Sequence, residues 1–559
     1  MAIPVSQMAL PSIPDNLTIP QFFLDAQNPA GALRKDTLPW LIEDSTGRTI
    51  GIDEVRARTY GLANAMSIHW NIVDGDTVCL LSPNHIDYPV AMWAVHRLGG
   101  IVTPANPNYT VHELVHQLAL TKANFIIAHP NALSTAVSAA QKMRLPLDHI
   151  ITMAAPHDAT PFRHRTISEL VVEGLDAAPH FVERVLKQAE AKTKVAFYCM
   201  SSGTTGAPKA VVIPHYSVIA NTVQLSVHHG DRYKAGDIMS ATVPFFHIYG
   251  LVALLHLSLF TGSTIVVIEK FSFVEYLKSI VRHRITHLLA VPPHIVLFCK
   301  HPAVKHYDLS HMRDCQSAAA PLSAELVKQF VTAFPNCSIG QSYGLTETCV
   351  GVCMPPSWRR IGTLGGSGSL IPGVEARVVK ADGQLAAVGE PGEMLVKTIS
   401  VPLGYLDNEK ATNETFIDGW VHTGDEVIFD EKGEIFIVDR IKEIMKVKGM
   451  QVSPAELEGH LLDHPDVDDV CVVGIPDEFS GEVPLSFVVL KKHVEKRISK
   501  DAASREDLKR LLMKYVADHK VSYKHLGALE FVDAIAKNPS GKLLRRVMRD
   551  KARTIRAKL

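Results

Sequence analysis

A chain of 559 residues exceeds what one hydrophobic core usually organises, so two or more domains are expected. It is 47% hydrophobic and 21% charged, and 57 Lys and Arg offset 58 Asp and Glu. Without a basic excess there is no phosphate-tracking surface, so a nucleic-acid partner is not expected.

Residues 1–20 lack a basic segment followed by an apolar run, so no secretory signal is expected. Short β-branched apolar runs follow at Thr77–Leu81, Phe125–Ala128, 263–268 and 286–291, with amphipathic stretches between them. That alternation predicts parallel strands joined by crossover helices, including helices over 112–121 and 324–334, the second capped by Ser323. Residues 250–268 carry no Asp, Glu, Lys or Arg, but Thr261-Gly262 interrupts them. A buried helix, a turn and a strand are expected there, and no transmembrane segment. After about residue 370 the texture changes. Pro372-Gly373, Asp382-Gly383, Pro391-Gly392 and Asp418-Gly419 read as closely spaced turns of a β-rich subdomain over about 370–439. Past Arg440 a compact α+β unit is expected, with a helix over Pro454–Leu462, strands over 469–475 and 485–490, and a solvated, charge-rich loop and helix over 491–510. The eight cysteines lack zinc or redox spacing and read as reduced, mostly core thiols.

Ser201-Ser202-Gly203-Thr204-Thr205-Gly206-Ala207-Pro208-Lys209 follows a predicted strand at 195–200. Its glycines let successive backbone N–H groups turn inward, its hydroxyls add donors, and Lys209 adds a mobile charge, so the loop suits phosphates. It is not the common P-loop, which needs Gly-Lys followed by Ser or Thr.

The loop resembles the signature of the adenylate-forming superfamily: acyl-CoA synthetases, coumarate-CoA ligases, beetle luciferases and peptide-synthetase adenylation domains. The resemblance runs from about Leu38 to Arg549 with the motifs in family order, and the match is best to the coumarate-CoA-ligase-like branch. It implies an α/β fold: an N-terminal adenylation domain over 1–439, rich in parallel sheets, and a small mobile α+β C-terminal domain over 440–559 with a hinge near Lys442. It also implies ATP, Mg²⁺ and coenzyme A as cofactor and co-substrates, and a small carboxylic acid as substrate.

The remaining motifs take their roles from the same resemblance. Pro244-Phe245-Phe246-His247-Ile248-Tyr249-Gly250 lines the acyl pocket, with His247 and Tyr249 facing the acid. Ala253 stands where coumarate ligases often have a Ser that helps hold the ring hydroxyl, which counts against 4-hydroxycinnamate. The absence of Asp from this stretch counts against an amino acid. Ser317-Ala318-Ala319-Ala320-Pro321-Leu322 is the adenine-binding segment, carried here by Ala319. In Gln341-Ser342-Tyr343-Gly344-Leu345-Thr346-Glu347, Tyr343 stacks on adenine and Thr346 reaches the α-phosphate. Glu347, with Thr346, ligates Mg²⁺, and Ser342 replaces a frequent Gly at the pocket floor. Gln341, Gly344 and Leu345 complete this nucleotide-binding segment. Asp425, in Thr423-Gly424-Asp425, and Arg440 hold the ribose. Lys442 is the hinge, Lys446 and Gln451 serve the second half-reaction, and Lys448 and Gly449 adjoin coenzyme A. Lys542, in Asn538-Pro539-Ser540-Gly541-Lys542, is the catalytic lysine of adenylation.

The implied function is an AMP-forming acyl-CoA ligase acting on an aryl, arylalkanoic, cinnamic-type or medium-chain fatty acid. A carrier-loading adenylating enzyme and a luciferase-like oxygenase stay open as alternatives. Ala557-Lys558-Leu559 resembles the Ser-Lys-Leu peroxisomal address, implying an import receptor as partner and a peroxisomal location, otherwise cytoplasmic.

Overall fold

The computed structural model describes residues 3–26, 38–155, 163–201, 208–447, 450–477, 480–498, 502–537 and 541–556. Six of the phosphate-loop residues named above (Ser202, Gly203, Thr204, Thr205, Gly206 and Ala207) lie outside them, as do Lys448, Gly449, Asn538-Pro539-Ser540 and Ala557-Lys558-Leu559.

Apolar strands with few polar positions have to be covered on both faces, and two seven-stranded sheets achieve this in the large domain. One runs through Arg165–Thr166, Ile150–Thr152, Phe125–Ala128, Thr77–Leu81, Ile101–Ala105, Val195–Ser201 and Lys209–Pro214. The other runs through Ser338–Gln341, Asp314–Ser317, His287–Ala290, Ile238–Ala241, Thr264–Val267, Leu41–Glu43 and Thr49–Ile50. All neighbours are parallel except the terminal hairpins, Val195–Ser201 with Lys209–Pro214 and Leu41–Glu43 with Thr49–Ile50. The crossover helices begin where the sequence places them. Val111–Thr121 carries a capping box from Thr110 and Glu113, and Ser323 Oγ accepts from Leu326 N at 3.2 Å to start Ala324–Ala333.

The charge-free stretch forms the expected buried helix, turn and strand, but its first part is wound as a π-helix, Tyr249–His256, before α winding resumes at Leu257–Phe260. A five-stranded antiparallel sheet follows, built from Val374–Val379, Gly392–Thr398, Phe416–Ile417, Trp420–Phe429 and Ile435–Arg440. Asp418 and Gly419 both take positive φ, 50° and 78°, as a two-residue hairpin between right-twisted strands requires. Pro391-Gly392 is not a turn. Gly392 opens a strand, where a Cβ would stand 2.7 Å from the Val379 carbonyl oxygen. The glycine there permits close strand approach rather than reversal.

The C-terminal domain has its own sheet, ordered Met450–Val452, Met445–Val447, Gly481–Leu490 and Val467–Asp477, with Ala528–Phe531 parallel to Gly481–Leu490. Separate hydrophobic clusters form on it, one around Leu457, Leu461 and Leu512, the other around Phe487, Met548 and Ala552. The charge-rich stretch past Lys491 forms the helix Lys492–Ile498 and the start of Ala502–Ala517. All eight cysteines are free thiols and seven are buried. Among the described residues no helix is long and apolar enough to cross a membrane.

Candidate active site

A cavity of about 1610 Å³ opens at the C-terminal edges of the strands Asp314–Ser317 and Ser338–Gln341. Residues of the large domain, the antiparallel subdomain and the C-terminal domain all line it. Its volume exceeds that of an ordinary small-ligand pocket, leaving room for a nucleotide and a second molecule together.

Strand register delivers the first charged pair. Asp425 and Arg440 are directly opposed on the ladder between Trp420–Phe429 and Ile435–Arg440. Arg440 Nε lies 2.6 Å from Asp425 Oδ1, and Tyr343 OH donates to Oδ2 at 2.6 Å. Asp425 is only 3% exposed, so burial pushes its carboxyl up, while Arg440, Tyr343 and Lys542 hold it down. Tyr343 and the Ala318–Ala320 turn line the same cavity, and Ala319 takes a left-handed φ of 72°. Gln341 braces the turn. Its Nε2 donates to Ser367 Oγ at 2.7 Å, and its Oε1 accepts from Leu322 N.

A second polar cluster forms where the phosphate loop leaves and re-enters its sheet. Ser201 and Lys209 are paired across the hairpin, so both flank the loop. Ser201 Oγ donates to Glu347 Oε1 at 2.7 Å, and Tyr405 OH donates to the same oxygen at 2.8 Å. Lys209 Nζ sits 4.8 Å from the Tyr405 ring centroid, a cation–π distance. Glu347 is presented by the 3₁₀ turn Thr346–Thr348, whose Thr348 Oγ1 accepts from Leu345 N at 3.2 Å. Gly344 has to be glycine, because a Cβ there would fall 1.5 Å from the Val350 carbonyl oxygen. Tyr405 was not legible as a site residue in the sequence. Its only local signal is the preceding Gly404, whose φ is 123°.

Lys542 enters the cavity from the C-terminal domain. Burial and the Arg440 charge push its ammonium down, while Asp425, Glu443 and Glu347 oppose that shift. Charges from three parts of the chain therefore meet at one side chain. His247, Tyr249, Ala253 and Ser342 line the same cavity. His247 Nδ1 accepts from Tyr249 N at 3.3 Å, and Tyr249 OH donates to the Gln316 carbonyl at 3.2 Å. Burial first, then the nearby Lys542, pushes His247 down to about 4, so it is neutral at physiological pH.

Lys442 also lines the cavity, but Lys446 does not. Lys446 is exposed and opposes Gln451 across the hairpin of Met445–Val447 and Met450–Val452. Among the described residues, the structure thus gathers those expected for adenylation and leaves Lys446, expected for the second half-reaction, outside.

Residues 32–406 match the family described as AMP-binding enzyme, and residues 456–542 match its C-terminal domain. A 4-coumarate–CoA ligase of Oryza sativa subsp. japonica is 34% identical over 550 residues, covering 97% of this chain and 95% of its own. A 4-coumarate–CoA ligase-like protein of the same organism is 36% identical over 522 residues, covering 90% of this chain and 89% of its own. The fold matches the crystal structure of an anthranilate CoA ligase in complex with anthranoyl-AMP, with a TM-score of 0.84 at 23% identity over 98% of this chain and 99% of that one. From the family match along most of its length and relatives similar over nearly all of it, the chain belongs to the AMP-binding enzyme family, the adenylate-forming enzymes.

Proposed function

We propose that the chain is an ATP-dependent acid–thiol ligase that makes an acyl-adenylate and passes the acyl group to coenzyme A. The observation that carries this is Lys542, half-buried within electrostatic reach of Asp425, Arg440 and Glu347, in the same cavity as His247 and Tyr249. A cation placed between a nucleotide end and an acyl end is suited to charge that develops when a carboxylate meets a phosphate.

In the first step a carboxylate oxygen attacks the α-phosphorus of ATP, the bond to the bridging oxygen breaks, and pyrophosphate leaves. Positioning and electrostatics carry such a step. Asp425 accepts from the ribose hydroxyls, Tyr343 and Ala319 flank the adenine, and the 201–209 loop with Lys209 holds the outer phosphates. Lys542 spans acid and α-phosphate. Among the described residues no three ligating side chains cluster as a resident metal site. The single carboxylate of Glu347, beside Thr346, instead fits Mg²⁺ arriving with the phosphates, where the ion would offset their charge. In the second step the thiol sulfur of coenzyme A attacks the acyl carbon and AMP departs. The C-terminal domain turns at Lys442 for this step, which brings Lys446 and Gln451 to the site.

The names of the relatives favour an aryl or cinnamic-type acid, and a medium-chain acid also suits a cavity of this size. Ala253 supplies no hydroxyl to a ring substituent, which counts against 4-hydroxycinnamate. The test is ATP–pyrophosphate exchange over a panel of aryl and fatty acids, with and without coenzyme A. Acid-dependent exchange that drops on the order of a hundredfold or more in Lys542→Ala is expected, with acyl-CoA formed when the thiol is present. Exchange without acyl-CoA would instead mean a carrier-loading or luciferase-like enzyme.

A further inference from the structure

The turn bearing Lys542 is closed at its base. Lys537 and Leu543 bridge antiparallel across it, and Leu544 N donates to the Ala536 carbonyl at 2.9 Å. Next along the chain stands Arg545, at the start of the helix Arg545–Arg556. Its Nη1 donates to Glu443 Oε2 at 2.7 Å and its Nη2 to Glu458 Oε2 at 2.5 Å. The three side chains are 10%, 14% and 8% exposed, so the cluster is largely shielded from water. Glu458 is fixed in turn, because its Oε1 accepts from Val472 N at 2.8 Å.

Glu443 is tied in the other direction. Glu443 N and Ile444 N both donate to the Arg440 carbonyl, at 2.8 and 3.0 Å. Arg440 is the residue whose guanidinium pairs with Asp425. A continuous path of hydrogen bonds therefore runs from Asp425 through Arg440, Glu443 and Arg545 to the turn that carries Lys542. A flexible lysine on a bare turn could reach many places. A planar guanidinium that bridges two carboxylates, one N–H to each, leaves few.

We propose that Arg545 is a positioning residue for adenylation, setting the reach of Lys542 by locking its turn to Glu443 and, through the Arg440 carbonyl, to the nucleotide end of the cavity. This rests on the ligase reading, in which Lys542 serves the first half-reaction. Glu443 lies beyond Lys442, so the Arg545 pair travels with the C-terminal domain when it turns. The link back to Arg440 belongs to the arrangement in which Lys542 is in the cavity. A misplacement of Lys542 then harms adenylation and spares thioester formation.

Full-length Arg545→Met, Arg545→Lys, Glu443→Ala and the Arg545→Met/Glu443→Ala double variant separate this from a purely structural ion pair. Pyrophosphate exchange is measured beside thioester formation from synthetic acyl-adenylate and coenzyme A. Exchange should fall about tenfold to a hundredfold more than thioester formation, as expected for a small displacement of a catalytic group. Arg545→Lys should lie between Arg545→Met and wild type, and the double variant should be no worse than the worse single variant, since both break one link. Should Arg545→Met fail to fold, Glu443→Ala answers alone, because Arg545 keeps its partner Glu458. A parallel fall in both half-reactions, additive losses, or unchanged exchange would overturn the proposal. Absence of exchange in wild type with every acid would instead overturn the ligase reading itself.

Discussion

The large domain combines neutral buried histidines with buried ion pairs such as Arg58–Asp87 and Arg232–Asp314, whereas the C-terminal domain relies mainly on ion pairs. In the large domain the interior holds histidines kept neutral by burial: His96 is pushed down to about 3, and His247, His256 and His294 to about 4. In the C-terminal domain the buried and half-buried groups are tied to partners: Arg545 to Glu443 and Glu458, Lys537 to Asp469, and Lys520 and Lys524 to Glu456. A large core can exclude water from an imidazole and leave it uncharged. A domain of roughly a hundred residues buries less of its surface and gains order from ion pairs.

The contrast has opposite signs in pH. A histidine whose folded pKa is depressed to about 4 binds its proton more readily when unfolded, so its contribution is lost as pH falls from 6.5 towards 4. At pH 5 that is about 2 kcal/mol for each of the four, or ~8 kcal/mol together at most. Asp425 and Glu183, both raised by burial, oppose this. Glu458 is raised to about 7, burial outweighing Arg545, so its contribution is complete below 4.5 and is lost as pH rises through 7. All five tryptophans lie at or before Trp420, so their fluorescence reports on the large domain alone. Urea unfolding followed by tryptophan emission should weaken sharply between pH 7 and 5. Amide exchange along Val467–Asp477 should hold or gain protection over the same range. Parallel loss by both probes would erase the distinction.

Within the cavity the nearly buried ion pair is Asp425–Arg440. Asp425→Ala leaves Arg440 unpaired beside Lys542, and we expect a loss of about 3–5 kcal/mol, read as a lowered urea midpoint with weakened ATP binding. A variant as stable as wild type would show that the guanidinium finds water or another partner. The smallest effect belongs to Tyr405→Phe, which removes one hydrogen bond to Glu347. It should cost about 1 kcal/mol, seen as roughly a fivefold higher KM for ATP-Mg²⁺ with little change in kcat. Unchanged KM would remove Tyr405 from the phosphate end.

Most of the adenylation constellation was legible in the sequence because each member sits in a short run of unusual composition, from Ser201-Ser202-Gly203 to Ser540-Gly541-Lys542. Elements were legible where period and cap agreed, as at Pro454–Leu462 and Ser323. The partners were not. Tyr343 meets Asp425 across 82 positions, Ser201 meets Glu347 across 146, and Arg545 meets Glu443 across 102, distances at which local periodicity carries no information. Pro391-Gly392 misled because the same dipeptide serves a turn or a tight strand crossing, and only the facing Val379 carbonyl distinguishes them.

The π winding of Tyr249–His256 bears on how this protein could change its diet. A π turn holds more residues than an α turn over the same stretch, and it relaxes to α when one residue is lost. A single-codon deletion in this segment would let the winding close to α with the flanking turns kept nearly in phase, because the residue lost is the extra one of the π turn. The wall presented to the acid would lose one side chain, while the strands that hold Asp425, Arg440 and Glu347 would stay where they are. New substrates could thus arise from the loss of one residue in one coil rather than from the slow replacement of side chains around the pocket.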